Sequence, residues 1–347
     1  GEVSASHIEE ALIKHPEAKA VLITSPNYYG VCSDIEKISE IVHAHGKILI
    51  VDEAHGAHLA FMDKIAPFRG DIKNQHSKAQ KLAAEASGAD IAILSTHKTL
   101  ASFTQTAILL VCSDRVDVDT IANNLQILQS SSPSYILMAS LDLNARIIEE
   151  YGDALFKEWQ ADLDYAYEEL RKIQGLELLE MELLDRTKLV FGLSEIGISG
   201  YELDALLRER GIFCELSDSR FVMAMSGLGS KRKDYELLIL ALNEIAEQAC
   251  ESGRSSARRE EDEIVLMDEL YRHGEIFDVP SETERLVARE CEGKISAQAL
   301  IPYPPGIPII VPGERIDSEK IRVLEKLYKD GVSVIGLDEN GKILCGR

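Results

Sequence analysis

Ile48-Leu49-Ile50-Val51 runs without a break into Asp52-Glu53-Ala54-His55-Gly56. Later, Asp90-Ile91-Ala92-Ile93-Leu94 runs in the same way into Ser95-Thr96-His97-Lys98-Thr99-Leu100. A short apolar run that breaks abruptly into polar residues is how a strand buried on both faces reads. Working outward, Lys19 to Thr24 is another such strand, ended by the loop signal Ser25-Pro26-Asn27-Tyr28-Tyr29-Gly30. Asp34 then caps a helix through about His45, with Ile35, Ile38, Ile41 and Val42 on one face. Strand, helix and strand at this spacing predict a right-handed crossover between parallel strands. In an open parallel sheet, ligands bind at the carboxyl edge of the strands. Asp52 and Lys98 are both delivered to that edge.

A carboxylate on one strand end and an amine on the next, flanked by His and hydroxyl residues, suit a pyridoxal phosphate site. Lys98 is placed to form the Schiff base with the aldehyde, and Asp52 to keep the pyridine nitrogen protonated, so that the ring accepts the electrons of a carbanion. Ala54 would pack its methyl on one ring face. His55 would contact the cofactor or the substrate carboxylate, and Ser95 and His97 the phosphate. Each residue also has a plainer reading: a surface lysine for Lys98, a helix cap for Asp52, a satisfied structural histidine for His55, and strand-end hydrogen bonds for Ser95 and His97. Asp52-Glu53-Ala54-His55 also spells a helicase motif. That reading needs a phosphate loop ending Gly-Lys-Ser/Thr. Here the Gly-Lys pairs are all followed by Ile (Ile48, Ile295, Ile343), so it fails.

Val51-Asp52-Glu53-Ala54-His55-Gly56-Ala57-His58, then Gly88-Ala89-Asp90 leading into Ser95-Thr96-His97-Lys98-Thr99-Leu100, resembles the ornithine/lysine/arginine decarboxylase family. Two further stretches carry the likeness. One is Ser130-Ser131-Ser132-Pro133-Ser134-Tyr135 with the Leu137 to Asp142 segment. The other runs from Gly293-Lys294-Ile295-Ser296-Ala297 through Tyr303-Pro304-Pro305-Gly306-Ile307-Pro308 to Pro312-Gly313-Glu314. The resemblance implies an α/β fold of the PLP-dependent transferase-like type (fold type I). Its large domain is a mostly parallel sheet with helices on both faces, incomplete at its N-terminus, followed by smaller α+β C-terminal domains. It implies α-decarboxylation of a basic amino acid, with arginine to agmatine first and lysine or ornithine as alternatives, through Lys98 and His55. It also implies a homodimer or higher oligomer with shared sites. Glu314 is the candidate contact for the cationic end of the substrate, against a reading as an exposed turn glutamate. Family members carry a further N-terminal portion that holds the phosphate, and no Gly-rich phosphate loop lies upstream of Lys19. The chain by itself is therefore expected to bind the cofactor poorly. An aminotransferase, an α-oxoamine synthase and a catalytically silent fragment with a structural role are the remaining alternatives.

The rest of the chain sets the frame. Its 347 residues are 45% hydrophobic, enough for about two domains with ample core. A formal net charge of −22 argues against nucleic acid or an anionic membrane as partner. Six scattered cysteines without a CxxC pair read as reduced thiols in the cytoplasm, and no His or Cys spacing suits a metal. No apolar run reaches the roughly 20 residues of a membrane span. The expected divisions are 1–150 for the C-terminal part of the cofactor domain, 151–255 for a small α+β domain and 256–347 for the C-terminal region. A long helix passes the first boundary, and a polar, basic linker, Ser252 to Arg259, marks the second. Residues 62–89 read as a polar connection, helical towards Ala86, that is long for the family.

Overall fold

The computed structural model describes residues 2–65, 81–252, 274–303, 306–329 and 332–347. Most of the 62–89 connection and all but Ser252 of the basic linker lie outside them. The chain divides into two compact units, Gly1–Ser255 and Ser256–Arg347.

The first unit begins with helix α1 (Ala5–Lys14), strand β1 (Ala20–Thr24), helix α2 (Ile35–Ala44) and strand β2 (Ile48–Asp52). The Asp34 side chain accepts the Lys37 N–H at 3.0 Å, which caps one of the orphan donors at the start of α2. Ile35, Ile38 and Val42 of α2 pack with Leu49 and Val51 of β2. β1 and β2 pair in parallel, Thr24 opposite Asp52, and β2 pairs in parallel with β3 (Ile91–Leu94). Strand β4 (Ile108–Val111) closes this four-stranded sheet antiparallel to β3, in the order β1-β2-β3-β4. Helices α3 (Leu59–Ile65) and α4 (Thr96–Thr99) follow β2 and β3.

After α5 (Val118–Leu128), helix α6 runs unbroken from Tyr135 to Leu170, so residue 150 falls inside it. Its C-terminal half carries Phe156, Trp159, Leu163, Tyr167 and Leu170 into the largest core. Burying a side chain of this size contributes roughly 1.5–3 kcal/mol. The same core takes in strand β6 (Lys188–Gly192) and helices α7 (Gly200–Glu209) and α8 (Arg232–Glu251). Strand β6 belongs to a second, antiparallel sheet in the order β5-β6-β8-β7, with β5 at Glu177–Leu178, β7 at Leu216–Ser217 and β8 at Val222–Met225. Among the described residues no helix is long and apolar enough to cross a membrane.

The second unit pairs β9 (Thr283–Val287) with β12 (Lys342–Gly346) and β10 (Ile301–Tyr303) with β11 (Ser333–Ile335), both antiparallel. Helix α9 (Ser318–Lys329) contributes Ile321 and Leu324 to a core shared with Leu300, Ile309, Ile310 and Ile343.

Candidate active site

β2 and β3 end side by side, and the ladder runs one residue past β2, with the Glu53 N–H donating to the Ile93 carbonyl at 2.9 Å. The chain then turns sharply. Asp52 Oδ1 accepts the Ala54 N–H at 3.1 Å, and the Gly56 N–H donates to the Glu53 carbonyl at 2.9 Å. A Cβ at position 56 would fall 2.6 Å from Glu53 Cγ and 2.9 Å from Pro26 Cδ, so this turn requires glycine. It throws His55 back across the strand ends, against the tilted Tyr28 ring at 4.7 Å.

One turn of helix at the end of β3 presents Lys98. A buried hydroxyl cluster fixes that turn: Thr96 Oγ1 lies 3.0 Å from Thr106 Oγ1, and the Ser102 hydroxyl donates to Thr96 Oγ1 at 2.7 Å. On its other side the Leu228 N–H donates to the Thr99 carbonyl at 2.9 Å. Lys98 Nζ thereby meets His55 Nε2 at 2.9 Å. Burial lowers the Lys98 pKa, and the Lys188 cation adds to that, against Asp52 and Glu215, which raise it. Burial first, then the cations of Lys188 and Lys98, push the His55 ring down to about 3, so it is neutral at neutral pH. Accepting from an ammonium at Nε2 puts the ring proton on Nδ1, a buried atom with no hydrogen-bond partner among the described residues.

The other sequence candidates fall around this pair. Asp52 is half-buried at the end of β2, within electrostatic reach of Lys98. Ala54 lies between Asp52 and His55 in the turn. Ser95 stands at the N-cap of α4 without a side-chain capping bond. His97 donates from Nδ1 to the Thr106 carbonyl at 2.9 Å, so its Nε2 can donate to an anion only from the protonated ring. Glu314 lies in the second unit and is fully buried. Its oxygens accept the Gly274 N–H at 2.7 Å and the Val311 N–H at 2.9 Å, and the Lys320 ammonium pairs with it. It is not an exposed turn glutamate.

The sequence reading missed the groups behind the turn. Lys188 and Asp185 are fully buried. Lys188 Nζ donates to Asp185 Oδ2 at 3.0 Å, to Thr187 Oγ1 at 3.2 Å and to the His55 carbonyl at 3.3 Å. His58 Nε2 lies 3.0 Å from Asp185 Oδ1, and His58 Nδ1 lies 3.1 Å from Thr99 Oγ1. The available signal was a lysine opening the apolar run Leu189-Val190-Phe191. In front of the turn, the Tyr28 hydroxyl donates to Glu215 at 2.9 Å.

A half-buried amine, a neutral imidazole and a carboxylate gather at the carboxyl edge of a mostly parallel sheet, an arrangement that fits a pyridoxal phosphate enzyme of fold type I. The orphaned His55 nitrogen and the uncommitted Ser95 hydroxyl fit a polar cofactor there. The chain belongs to the Orn/Lys/Arg decarboxylase family: residues 1–191 match its major domain and residues 275–330 its C-terminal domain. It is 32% identical over 349 residues to an arginine decarboxylase of Bacillus subtilis and 30% identical over 354 residues to one of Halalkalibacterium halodurans. Each alignment covers 97% of this chain and 67% of the relative. A lysine decarboxylase from Francisella novicida shares the fold at a TM-score of 0.70 and 18% identity, over 99% of this chain and 60% of that one. The chain thus spans about two thirds of the length of its curated relatives.

Proposed function

We propose that this chain carries the lysine-bearing part of a pyridoxal phosphate-dependent decarboxylase of basic amino acids, with arginine, giving agmatine, as the substrate. The observation that carries the reading is the contact between Lys98 Nζ and His55 Nε2 at 2.9 Å beside the Asp52 carboxylate. The names of the two curated relatives favour arginine. When bound, pyridoxal phosphate supplies the electron sink that accepts the pair left on Cα as carbon dioxide departs.

The chain's own residues have separable tasks. Lys98 would hold the cofactor aldehyde, and its lowered pKa enlarges the fraction of nucleophilic free amine near neutral pH. His55, uncharged, accepts from Lys98 and fixes the direction of its lone pair. Asp52 would sit against the pyridine nitrogen, where a carboxylate favours the protonated ring. Ala54 would lie against a ring face, and Ser95 and His97 would face the phosphate. Lys98 and His55 would be placed to return a proton to the substrate carbon.

A homodimer is part of this reading. Ile127, Leu128, Tyr135 and Ile136 stand 80%, 83%, 81% and 69% exposed on either side of the 130–135 loop, apolar side chains that a second copy would cover. The six cysteines are all free, which supports a reducing, cytoplasmic setting. The test is product analysis with the intact protein, measuring carbon dioxide and amine from arginine, lysine and ornithine. Release of agmatine is the expected result. No carbon dioxide from any of the three would sink the proposal.

A further inference from the structure

Behind the turn that carries His55, three elements of the first unit meet on one buried ionic cluster. Asp185 and Lys188 come from the lead-in and first residue of β6, His58 from the end of the turn, and Thr99 from the residue after Lys98. The Asp185 carboxylate can only accept, so His58 Nε2 donates to it, and His58 Nδ1 lies 3.1 Å from the Thr99 hydroxyl. Thr187 completes the set, its hydroxyl donating to Asp185 Oδ1 at 2.7 Å and its N–H at 3.0 Å. Burial alone would raise the Asp185 carboxyl. The charges of His58 and Lys188, with hydrogen bonds from His58 and Thr187, hold it well below the usual carboxylate range. Asp185 is locked from the other side too. Its N–H donates to the Gly30 carbonyl at 2.7 Å, and a Cβ on Gly30 would fall 2.7 Å from the Asp185 carbonyl and 2.9 Å from Lys188 Cβ.

This cluster ends on the site at two points. Lys188 donates to the main-chain carbonyl of His55 itself, and His58 reaches the residue next to Lys98. A buried ion pair is weak evidence for stability, because desolvating both charges offsets most of their attraction. Its retention is better explained by the geometry it enforces. We propose that Lys188, held by Asp185, is a positioning residue for the reaction: with His58 it sets the separation between the His55 ring and the Lys98 amine. The inference rests on the decarboxylase reading of the same site. Four charged or titratable groups bear on Lys98 itself: Asp52 from β2, His55 from the turn, Lys188 from β6 and Glu215 ahead of β7. Only Lys188 among them is wholly enclosed.

The decisive variant replaces both charges by near-isosteres, Asp185→Asn with Lys188→Met, so that no lone charge stays buried. Three quantities are read on the full chain: the thermal midpoint, kcat and KM for carbon dioxide release, and the pH dependence of Lys98 acetylation in the cofactor-free protein, mapped by mass spectrometry. The midpoint is expected to stay near wild type. The kcat is expected to fall about tenfold to a hundredfold with KM changed much less, as a small misplacement of reacting groups does. With the Lys188 cation gone, the Lys98 labelling midpoint should move to higher pH, and a half-unit move means about threefold slower labelling on the acid side. A double variant that folds normally with wild-type kcat and wild-type labelling overturns the proposal. If that variant does not fold, Thr99→Val decides, since it removes only the His58 hydroxyl bond. A lower kcat and displaced labelling support the network, and no change in either overturns it. If the wild-type protein decarboxylates none of the basic amino acids, the functional reading fails, while the labelling arm still tests the network.

Discussion

Two buried carboxylate–lysine pairs, one in each unit, make an instructive contrast. Asp185–Lys188 and Glu314–Lys320 are both enclosed, and both carboxylates also accept main-chain N–H groups. The hydrogen bonds described for the Glu314 pair join Gly274, Val311 and the first turn of α9, all in its own unit. The Asp185 pair continues through His58 and the His55 carbonyl to Lys98, an amine half-buried with a lowered pKa. Buried charge therefore does not mark a site by itself. What distinguishes the two is whether the network ends on a group with chemistry still to spend.

Replacing the ends of these networks should separate the two kinds of pair. Lys98→Ala should abolish carbon dioxide release, by about a thousandfold or more, while the thermal midpoint moves by no more than about 2 °C, because a half-buried amine contributes little to folding. A large drop in the midpoint would place Lys98 with the structural lysines instead. Glu314→Gln should do the reverse. It leaves the Lys320 ammonium buried without its charge partner, which costs about 3–5 kcal/mol, read as faster hydrogen exchange across α9 and β12. Unchanged exchange there would erase the contrast from the structural side.

Asp52→Asn keeps the shape of the site and removes its negative charge. A loss in kcat of about a hundredfold is expected, the scale of removing one preorganised electrostatic group, together with weaker retention of the cofactor on dialysis. Wild-type turnover in this variant would mean that Asp52 only caps the Ala54 turn.

The smallest effect concerns pH. The folded His55 ring titrates at about 3 and a free histidine at 6.5, so between those values the unfolded chain holds the extra proton. The contribution of neutral His55 to stability is complete above pH 6.5 and is lost as the pH falls towards 3. Within that window the loss runs at about 1.4 kcal/mol per pH unit. His55→Gln should flatten the decline in stability on acidification by that one-proton slope, measured by denaturant titration from pH 7 to pH 4. Parallel declines in the two proteins would show that His55 is solvated.

The two apolar runs that break into Asp52 and Lys98 predicted strands of one parallel sheet, and β2 and β3 are parallel, with their pairing as neighbours supplied by the structure. The α2 stripe and its Asp34 cap were legible for the same reason: hydrophobic period and capping chemistry are local properties. Beyond the apolar run that Lys188 opens, nothing local in the sequence singles out Asp185, Thr187 or Lys188. Their partners are His55 and His58, far away in the chain, and no periodicity records which charge will be enclosed by which element. The turn motif around Glu314 is local, but its enclosure is not: the Gly274 N–H and the Lys320 ammonium close on it from outside the turn.

The order of residues along the chain thus settles the strand ends and the family, because each depends on neighbours a few positions apart. Folding in three dimensions alone decided which buried ions serve the site. Desolvation and ionic pairing depend on what surrounds a charge on every side, and for Lys188 those surroundings come from three separate segments of the chain.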